Sequence, residues 1–534
     1  MVYKDDGRSG MNERVGDFAG IQRPAVGLAA GFAGVALLLH VVANVLAQRA
    51  GFGIFRDELY YMVCGRNLAW GYLDQPPMVA LQARVAETVF GWHTLWLFRL
   101  LPSFASALTV GLAGVLAWAL GGSRGAQALA MLGVLCAPIL IGIDGYLSMN
   151  AWEPVFWVGI AVLLALVLRR SGTGVPVGGL WVGIGVLAGL GLENKWNIAF
   201  FLVTMCVGLL LSPQRAVLWN RWVLVGTVVA LVLVAPNFVW EMHRGWPTLE
   251  WLHNDAVGNK NIHLGPVAFV ANQIQVENPV GLVLWGAGWM WFLFGKNARL
   301  FRAFGLMYLL YLPMMIAMHA KDYYLAPVFP ILFAGGGVAL ATWVTGRWRV
   351  LLPVYATVLV LVTASSLPLA LPVLRPEQYV RYTRWLGRKT PETQTFDHAA
   401  LPQYYADMRG WKEKADALAG AYWALPPEER AKAVIYTTNY GGASAVNVYR
   451  PDVPVAVSGH QNYWFWGPRG HTGEVMVIYG DSRTTDEREF GSVTEVPWRP
   501  DPWTEPYEQR PIYVCRGPKG WTLAGIWPKV KVWY

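Results

Sequence analysis

Long apolar stretches dominate the first 371 residues of the chain. A membrane helix needs about 20 apolar residues, and helices screened by other helices can be shorter or broken. The fifth and sixth stretches are short and flank Glu193-Asn194-Lys195, a pattern that allows for a half-helix. We predict eleven membrane-spanning helices, near residues 25–47, 101–120, 126–143, 154–168, 179–192, 198–211, 222–239, 279–294, 303–318, 325–343 and 350–371.

A different pattern begins after Leu371. Residues 404–424 carry apolar side chains at every third or fourth position, which predicts an amphipathic helix. A helix-like stretch also follows Gly441-Gly442. Four short apolar runs are strand-like, at residues 433–436, 453–457, 475–479 and 511–514. The sequence therefore predicts a mainly α-helical polytopic membrane protein with a C-terminal α/β domain.

Charge density supports this division. Asp, Glu, Lys and Arg number 39 in residues 1–371 and 38 in residues 372–534. The second part is thus about twice as densely charged and approaches the roughly 25% of soluble domains. We predict a membrane domain over 25–371 and a soluble domain over 372–534.

The charges in the loops predict the topology. Alternate insertion of the eleven helices gives one set of loops with ten basic residues and no acidic one, namely Arg124, Arg169, Arg170, Arg215, Arg221, Lys296, Arg299, Arg302, Arg347 and Arg349. The positive-inside rule places these loops in the cytoplasm, together with an N-terminal tail over residues 1–24. The loops 48–100 and 240–278 and the domain 372–534 then face the outside. The net charge of +9 is largely explained by this topology, so nucleic acid is not a predicted partner.

The first apolar stretch is predicted to be a retained helix. It is longer than the core of a signal peptide, and acidic residues precede it, namely Asp5, Asp6, Glu13 and Asp17.

The first outer loop is the richest in candidate chemistry. It carries Asp57-Glu58-Leu59-Tyr60-Tyr61 and then Gly71-Tyr72-Leu73-Asp74-Gln75-Pro76-Pro77. Apolar residues recur at helical intervals, which predicts helices lying along the membrane interface. An interfacial helix does not by itself explain a carboxylate pair directly after a membrane span.

These residues resemble the first periplasmic loop of the GT-C membrane glycosyltransferases, in the bacterial branch with aminoarabinose transferases and protein O-mannosyltransferases. Further segments resemble that branch in the same order. They are Gly191-Leu192-Glu193-Asn194-Lys195-Trp196, Pro236-Asn237-Phe238-Val239-Trp240-Glu241, His243-Arg244-Gly245-Trp246-Pro247, Gln275 with Glu277-Asn278-Pro279, and Lys321-Asp322-Tyr323-Tyr324-Leu325-Ala326-Pro327.

The resemblance implies an inner-membrane enzyme with a GT-C-like fold. Such an enzyme transfers a sugar from a polyprenyl-phosphate donor to a lipid, glycan or protein acceptor. By resemblance, Asp57 is the catalytic base, and transfer proceeds with inversion. The alternative for Asp57 is a surface ion pair with Arg56. Glu58 is expected to act in catalysis, to orient Asp57 or to bind substrate.

Two lysines and two tyrosines are expected at the donor phosphate. Lys195 lies in an otherwise apolar setting, where a lysine must be paired or bind an anion. It therefore bridges Glu193 or, as the resemblance implies, binds phosphate. Lys321 precedes Tyr323 and Tyr324, where ammonium and phenol groups can stabilise phosphate charge. The alternative there is an aromatic belt with a snorkelling lysine.

Other polar residues are candidates for binding substrate. They are Tyr61, Asp74, Asp144, Asn150, His243, Arg244, His460, Gln461 and Asn462. Asp74 could equally cap a turn. The last three belong to the loop Ser458–Gly470, with four consecutive aromatic residues. It either closes over the membrane cavity and contacts the acceptor, or packs the soluble domain onto the membrane part.

No cofactor is predicted with certainty. The sequence has no CxxC, HExxH or paired-His spacing that indicates a dedicated metal site. Asn150 stands where relatives often have Asp, which puts in doubt a second catalytic carboxylate or a bound divalent metal.

Two other classes of function stay open. A transporter or flippase of lipid-linked sugars shares many helices and intramembrane charges, but needs neither a base nor a soluble cap. A non-catalytic envelope-assembly protein would keep the fold and lose the roles of the carboxylate and the lysines. An enzyme requires Asp57, Lys195 and Lys321 to converge on one outward-facing site.

Overall fold

The computed structural model of the protein describes residues 23–258, 264–388 and 399–534. The acidic residues that precede the first predicted span lie outside the described residues. They are Asp5, Asp6, Glu13 and Asp17. Each predicted span falls on helical segments, with the bounds Val26–Arg49, Leu100–Ala119, Arg124–Leu135 with Pro138–Ile143, Met149–Arg170, Gly178–Asn194, Ile198–Leu211, Arg221–His243, Gly281–Phe294, Arg302–Ala317, Phe329–Trp343 and Leu351–Ala370.

Seven helical segments of the described chain are long and apolar enough to cross a membrane. Shorter apolar helices, Ile198–Leu211 and Gly281–Phe294, accompany them. The chain is therefore a multi-pass membrane protein.

The third predicted span is not one continuous helix. It is divided at Cys136 and Ala137, and Pro138 begins the second piece. Proline lacks a backbone N–H and fits the first position of a helix, so it restarts the helix here and does not continue it.

Glycines allow several spans to pack backbone against backbone. A β-carbon on Gly336 would collide with the carbonyl of Leu284, and one on Gly288 would collide with that of Leu332. Gly185 and Gly226 face each other in the same way on two other helices. Small residues at helix crossings favour association in lipid, where burial of apolar surface supplies little driving force.

Helices also fill the loops at one end of the bundle. Arg56–Arg66 and Met78–Val85 belong to the first loop, and Pro247–Val257 and Pro266–Val276 to the long loop after His243. Leu81, Val85 and Val89 are exposed, as expected for a helix that lies on the membrane surface.

The C-terminal region, residues 372–534, contains a four-stranded sheet. Its strands are β1 (Ala433–Thr437), β2 (Val475–Tyr479), β3 (Phe490–Val496) and β4 (Ile512–Pro518), in the order β1-β2-β4-β3. β1 and β2 pair in parallel, and β4 pairs antiparallel with both β2 and β3. The main helices of the region are Pro376–Trp385, Trp411–Trp423 and Tyr440–Tyr449.

Two predicted details of this region are wrong, and one strand is missing from the prediction. Residues 453–457 form no strand, and only Val457 bridges to Tyr436. β3 was not predicted, because most of its side chains are exposed and the strand has no apolar run. The helix predicted over 404–424 is divided by Gly410, whose φ of 74° breaks helical geometry.

The first loop and the C-terminal region share one hydrophobic core. Leu59 and Val63 from the first loop belong to the same buried cluster as Leu418, Val446 and Val477. Burial of this cluster holds the C-terminal region against the end of the bundle that carries Asp57.

Candidate active site

Asp57 lies in the first turn of the helix Arg56–Arg66, where a carboxylate is stabilised by the helix dipole. Its Oδ1 accepts a hydrogen bond from the Tyr440 hydroxyl at 2.6 Å. The same oxygen lies 3.6 Å from Nε of Arg56, so the predicted contact with Arg56 is present. The Asp57 side chain is 32% exposed. The carboxylate is therefore both held in place and open to a substrate hydroxyl.

Glu58 is fully buried beside Asp57. Nε and Nη2 of Arg99 donate to its two oxygens at 2.9 and 2.7 Å. The backbone N–H groups of Phe55 and Leu147 donate to the same carboxylate at 2.8 and 2.7 Å. The catalytic or substrate-binding role predicted for Glu58 does not fit this placement, because four protein donors occupy the carboxylate and solvent is excluded.

Lys195 meets a different carboxylate from the one expected. Its Nζ lies 3.0 Å from Oε2 of Glu153 and 2.9 Å from Oδ1 of Asn150. Of the two alternatives for Lys195, the bridge to Glu193 is therefore wrong, because Glu153 takes that place. The fold places the helix that begins at Met149 next to Lys195, and Glu153 is on that helix.

Tyr323 and Tyr324 stack around the same ammonium group. Nζ of Lys195 lies 4.4 Å from the ring centre of Tyr324 and 5.1 Å from that of Tyr323. Such cation–π contacts add to the ion pair with Glu153. The residues predicted for the donor phosphate therefore include one compact cluster, formed by Lys195, Tyr323 and Tyr324.

Polar contacts with neighbouring helices hold the segment 321–324. Asn197 donates to the backbone carbonyl of Tyr324 at 3.2 Å, and the Tyr311 hydroxyl donates to it at 3.0 Å. Asn272 donates to the Asp322 carboxylate at 3.0 Å. Lys321 is exposed, and its ammonium group is close enough for its charge to act on that of Lys195. The two ammonium groups therefore lie at the same end of the bundle.

Tyr61 and Tyr146 lie near enough to Asp57 for its charge to act on them. Burial and then the charge of Asp57 raise the pKa of both phenols. Asn150, which accepts a hydrogen bond from Lys195, also lies near Tyr146. Asp57 and the cluster around Lys195 therefore lie at the same end of the bundle. Neither Tyr146 nor Tyr440 belongs to a segment that carries the resemblance, so the sequence motifs did not indicate them.

Asp74 binds its own loop. Its carboxylate accepts a hydrogen bond from the Tyr60 hydroxyl at 3.0 Å, in a turn closed between Tyr72 N and the Gln75 carbonyl at 3.1 Å. Asn462 docks on the same turn, because its Oδ1 accepts from Leu73 N at 3.3 Å. The turn-forming alternative for Asp74 is therefore present in the structure.

The loop Ser458–Gly470 rests on the membrane part through Phe465. The Phe465 ring packs edge-on against Trp240 at 6.0 Å, and the Arg244 guanidinium lies over both rings, at 4.7 Å from Trp240 and 5.5 Å from Phe465. Trp464 instead packs on Trp533 within the C-terminal region. Thus only part of the aromatic run contacts the membrane part.

The three polar residues of that loop have separate surroundings. Gln461 donates to the carbonyl of Tyr534 at 3.1 Å, and the His460 ring lies between the rings of Tyr440 and Tyr534. Asn462 faces the first loop, as described above. All three side chains are buried, so the structure supports the packing role for this loop more directly than contact with an acceptor.

Two other candidate residues, Asp144 and His243, make no contact with Asp57 or Lys195 within the part of the chain that the structure describes. Asp144 is buried beside Ser106, and burial raises the pKa of its carboxyl. His243 is exposed at the end of its helix.

The described residues do not fit a metal site. Among them, no group of three or more His, Cys, Asp and Glu side chains is placed to hold an ion. Two buried carboxylates near Asp57 and Lys195 are already paired, Glu58 with Arg99 and Glu153 with Lys195.

Two cavities lie at the opposite end of the bundle. One of about 490 Å³ is lined by Arg170 and Arg221, and one of about 280 Å³ by Arg169 and Asn297. Their positions at the far ends of the helices separate them from Asp57 and Lys195.

A family model described as dolichyl-phosphate-mannose-protein mannosyltransferase matches residues 74–240. The match includes Asn150, Glu153 and Lys195, and begins after Asp57. The chain is 28% identical over 237 residues to the lipid A galacturonosyltransferase RgtD of Rhizobium johnstonii. That alignment covers 42% of this chain and 47% of the relative, so the chain spans about half the length of the curated relative it matches.

Solved structures share the fold over nearly the whole chain. ArnT from Cupriavidus metallidurans, bound to undecaprenyl phosphate, superposes with a TM-score of 0.60 at 16% identity, covering 92% of this chain and 98% of its own. The arabinofuranosyltransferase AftD from Mycobacteria superposes with a TM-score of 0.50 at 14% identity, covering 91% of this chain and 40% of its own. The comparisons confirm the GT-C fold and the resemblance to the aminoarabinose-transferase and protein O-mannosyltransferase branch.

Proposed function

We propose that this protein is a membrane glycosyltransferase that moves a sugar from a polyprenyl-phosphate donor to an acceptor hydroxyl. The observation that carries the proposal is that Tyr146 lies near both Asp57 and Asn150, the residue that binds Lys195. It places a partly exposed carboxylate and a cation at one end of the same bundle. Sugar transfer from a lipid phosphate needs both groups.

Asp57 acts as the general base. Its free lone pairs accept the proton of the acceptor hydroxyl while that oxygen bonds to the anomeric carbon. The bond from this carbon to the phosphate oxygen breaks on the opposite face, so the configuration inverts. A positioned base of this kind contributes typically about 10²–10⁴-fold in rate.

Lys195 and Lys321 bind the phosphate that leaves. Positive charge fixed where negative charge develops stabilises the transition state, and it costs no rearrangement during the reaction. Lys195 is already oriented by Glu153 and the rings of Tyr323 and Tyr324, whereas Lys321 is exposed. Lys321 therefore engages the donor from the open side.

The substrates follow from the relatives. ArnT was solved with undecaprenyl phosphate, and the matched curated relative is named for transfer to lipid A. We propose a polyprenyl-phosphate sugar as donor and a lipid A-type glycolipid as the first acceptor to test, with protein and glycan acceptors as alternatives.

We also propose an inner-membrane location with the N-terminus in the cytoplasm. The ten basic residues of the predicted inner loops support this orientation. The C-terminal region packs at the end of the bundle that carries Asp57, so it faces the periplasm with the active site.

Transfer in proteoliposomes tests the proposed function. Purified protein is supplied with a radiolabelled polyprenyl-phosphate sugar and lipid A, and products are identified by mass spectrometry. We expect a mass increase of one sugar on lipid A and release of polyprenyl phosphate, both absent for Asp57→Asn. Movement of the labelled donor across the bilayer without release of polyprenyl phosphate would instead identify a transporter.

A further inference from the structure

Tyr440 reaches Asp57 from a point in the sequence 383 residues away. It occupies the first position of the helix Tyr440–Tyr449, which Asn439 caps by accepting a hydrogen bond from the Gly442 N–H at 2.8 Å. The next residue, Gly441, packs against Arg56 so closely that a β-carbon would lie 2.8 Å from Cγ of Arg56. Local capping and a glycine therefore bring this helix end onto the start of the helix that carries Asp57.

The Tyr440 ring is fixed by three neighbours. Its centre lies 4.9 Å from that of Tyr60 and 5.1 Å from that of His460, and the Arg56 guanidinium lies 5.5 Å from it. Burial, followed by the charge of Asp57, raises the pKa of Tyr440 well above its usual range, whereas Arg56 opposes this effect. The phenol therefore stays protonated at neutral pH and donates its proton to the carboxylate.

Arg56 is anchored to the C-terminal region as well. Its Nη2 lies 3.3 Å from Oδ2 of Asp407, its Nη1 donates to the Tyr507 hydroxyl at 3.3 Å, and its backbone N–H donates to the Asp407 carbonyl at 2.9 Å. The guanidinium is thus pulled toward Asp407 and away from Asp57, from which its Nε is 3.6 Å distant. Within the described chain, the short hydrogen bond to Asp57 comes from Tyr440.

We propose that Tyr440 is a positioning residue for Asp57, so that the C-terminal region completes the catalytic base. The inference rests on the proposed role of Asp57. The hydroxyl occupies one carboxylate oxygen and directs the remaining lone pairs toward the substrate. Without it, the carboxylate is free to rotate toward Arg56, and an ion pair there would compete with proton abstraction.

Several charged and titratable groups surround Asp57. They are Arg56 and Tyr61 from its own helix, Tyr146, Asp407 and Tyr440. A hydrogen bond donated to a carboxylate favours its charged form. Removing the phenol hydroxyl leaves the Arg56 guanidinium as the cation beside the carboxylate.

The test compares Tyr440→Phe with Tyr449→Phe. Tyr449 belongs to the same helix and packs its ring 5.4 Å from Trp92 in the first loop, without a recorded contact to Asp57. For Tyr440→Phe we expect kcat to fall at least about tenfold while the KM for donor stays unchanged, because the lost hydroxyl contacts the base and not the donor. Tyr449→Phe should keep the wild-type kcat and KM.

A second variant keeps the shape of the side chain. Fluorotyrosine incorporated at position 440 retains a hydroxyl that can donate to Asp57, and should keep kcat near the wild-type value. A wild-type kcat for Tyr440→Phe, or an equal fall of kcat in both phenylalanine variants, would overturn the inference. An active Asp57→Asn enzyme would instead refute the role of Asp57 itself, which separates the two failures.

Discussion

Arg99 binds both carboxylate oxygens of Glu58, and neither side chain is exposed to solvent. Nη1 of Arg99 also donates to Oδ1 of Asn44 in the first span, at 3.0 Å. One guanidinium therefore joins the first span, the first loop and the helix that begins at Leu100. This contact explains why a second acid follows Asp57: Glu58 anchors the turn on which Asp57 is presented.

Arg99→Leu should destabilise the protein strongly. The substitution leaves Glu58 as a buried carboxylate without its cation, and breaking a buried pair in this way costs about 3–5 kcal/mol. Thermal unfolding in detergent measures the loss. Arg483→Leu provides the control, because its ion pair with Glu487 is exposed and its removal should not measurably change the Tm. Equal Tm values for Arg99→Leu and wild type would contradict the anchoring role of Glu58.

Asp57→Asn should reduce transfer by at least about 100-fold. The amide keeps the shape of the side chain but cannot accept the proton of the acceptor hydroxyl. Donor binding and thermal stability should stay close to wild type, since Lys195 and Lys321 are unchanged. Asp416→Asn, an exposed substitution in the C-terminal region, serves as control. Turnover by Asp57→Asn within a few-fold of wild type would remove Asp57 from the role of base.

Lys321→Ala and Lys195→Ala should both weaken donor binding and turnover, because a phosphate ligand acts in the ground state and the transition state alike. Their effects on stability should differ. Lys321 is exposed, whereas loss of Lys195 leaves Glu153 buried without its cation.

The double variant Lys195→Ala/Glu153→Gln separates the two effects of Lys195. Removing the stranded charge should recover part of the lost Tm without restoring donor binding, as measured by titration with the polyprenyl-phosphate sugar. If the double variant bound donor normally, Lys195 would be a purely structural residue.

Asp407 predicts a pH dependence of stability. Burial, and next the nearby Glu508, Asp57 and Glu505, raise the pKa of this carboxyl to about 7, although Arg56 opposes the shift. Between about pH 4, the usual pKa of Asp, and about pH 7 it is protonated in the folded state and ionised in the unfolded state. Rising pH across this window therefore lowers stability, and the contribution is lost as pH passes 7.

Asp407→Asn should remove that slope. Unfolding temperatures measured from pH 5 to 8 should fall less steeply with pH for the variant than for wild type. Asp452→Asn, at an exposed site, should keep the wild-type slope. A wild-type slope in Asp407→Asn would show that Asp407 is not the titrating group.

Reporter fusions test the orientation. Fusions after Arg124, Lys321 and Gly410 should report the cytoplasm, the periplasm and the periplasm, in that order, because basic residues are retained on the cytoplasmic side. A cytoplasmic signal at Gly410 would refute the proposed location of the C-terminal region.

Local pattern alone determined the positions of the membrane helices. Apolar runs such as 222–239 and 350–371 predicted Arg221–His243 and Leu351–Ala370 to within a few residues, because a segment in lipid must satisfy its backbone within its own helix. The sequence motifs also indicated the fold family and directed attention to Asp57 and Lys195.

Pairing between elements was decided only by the tertiary structure. Lys195 is two residues from Glu193, yet binds Glu153 because the helix from Met149 packs beside it. Tyr440 reaches Asp57 only because the C-terminal region buries a core against the first loop. β3 lies at the edge of the sheet and pairs with β4 through its backbone, and most of its side chains are exposed. Its sequence therefore has no apolar pattern that predicts a strand. Sequence patterns report the environment of one segment, whereas the partner of a charge or a strand depends on which other segments pack beside it.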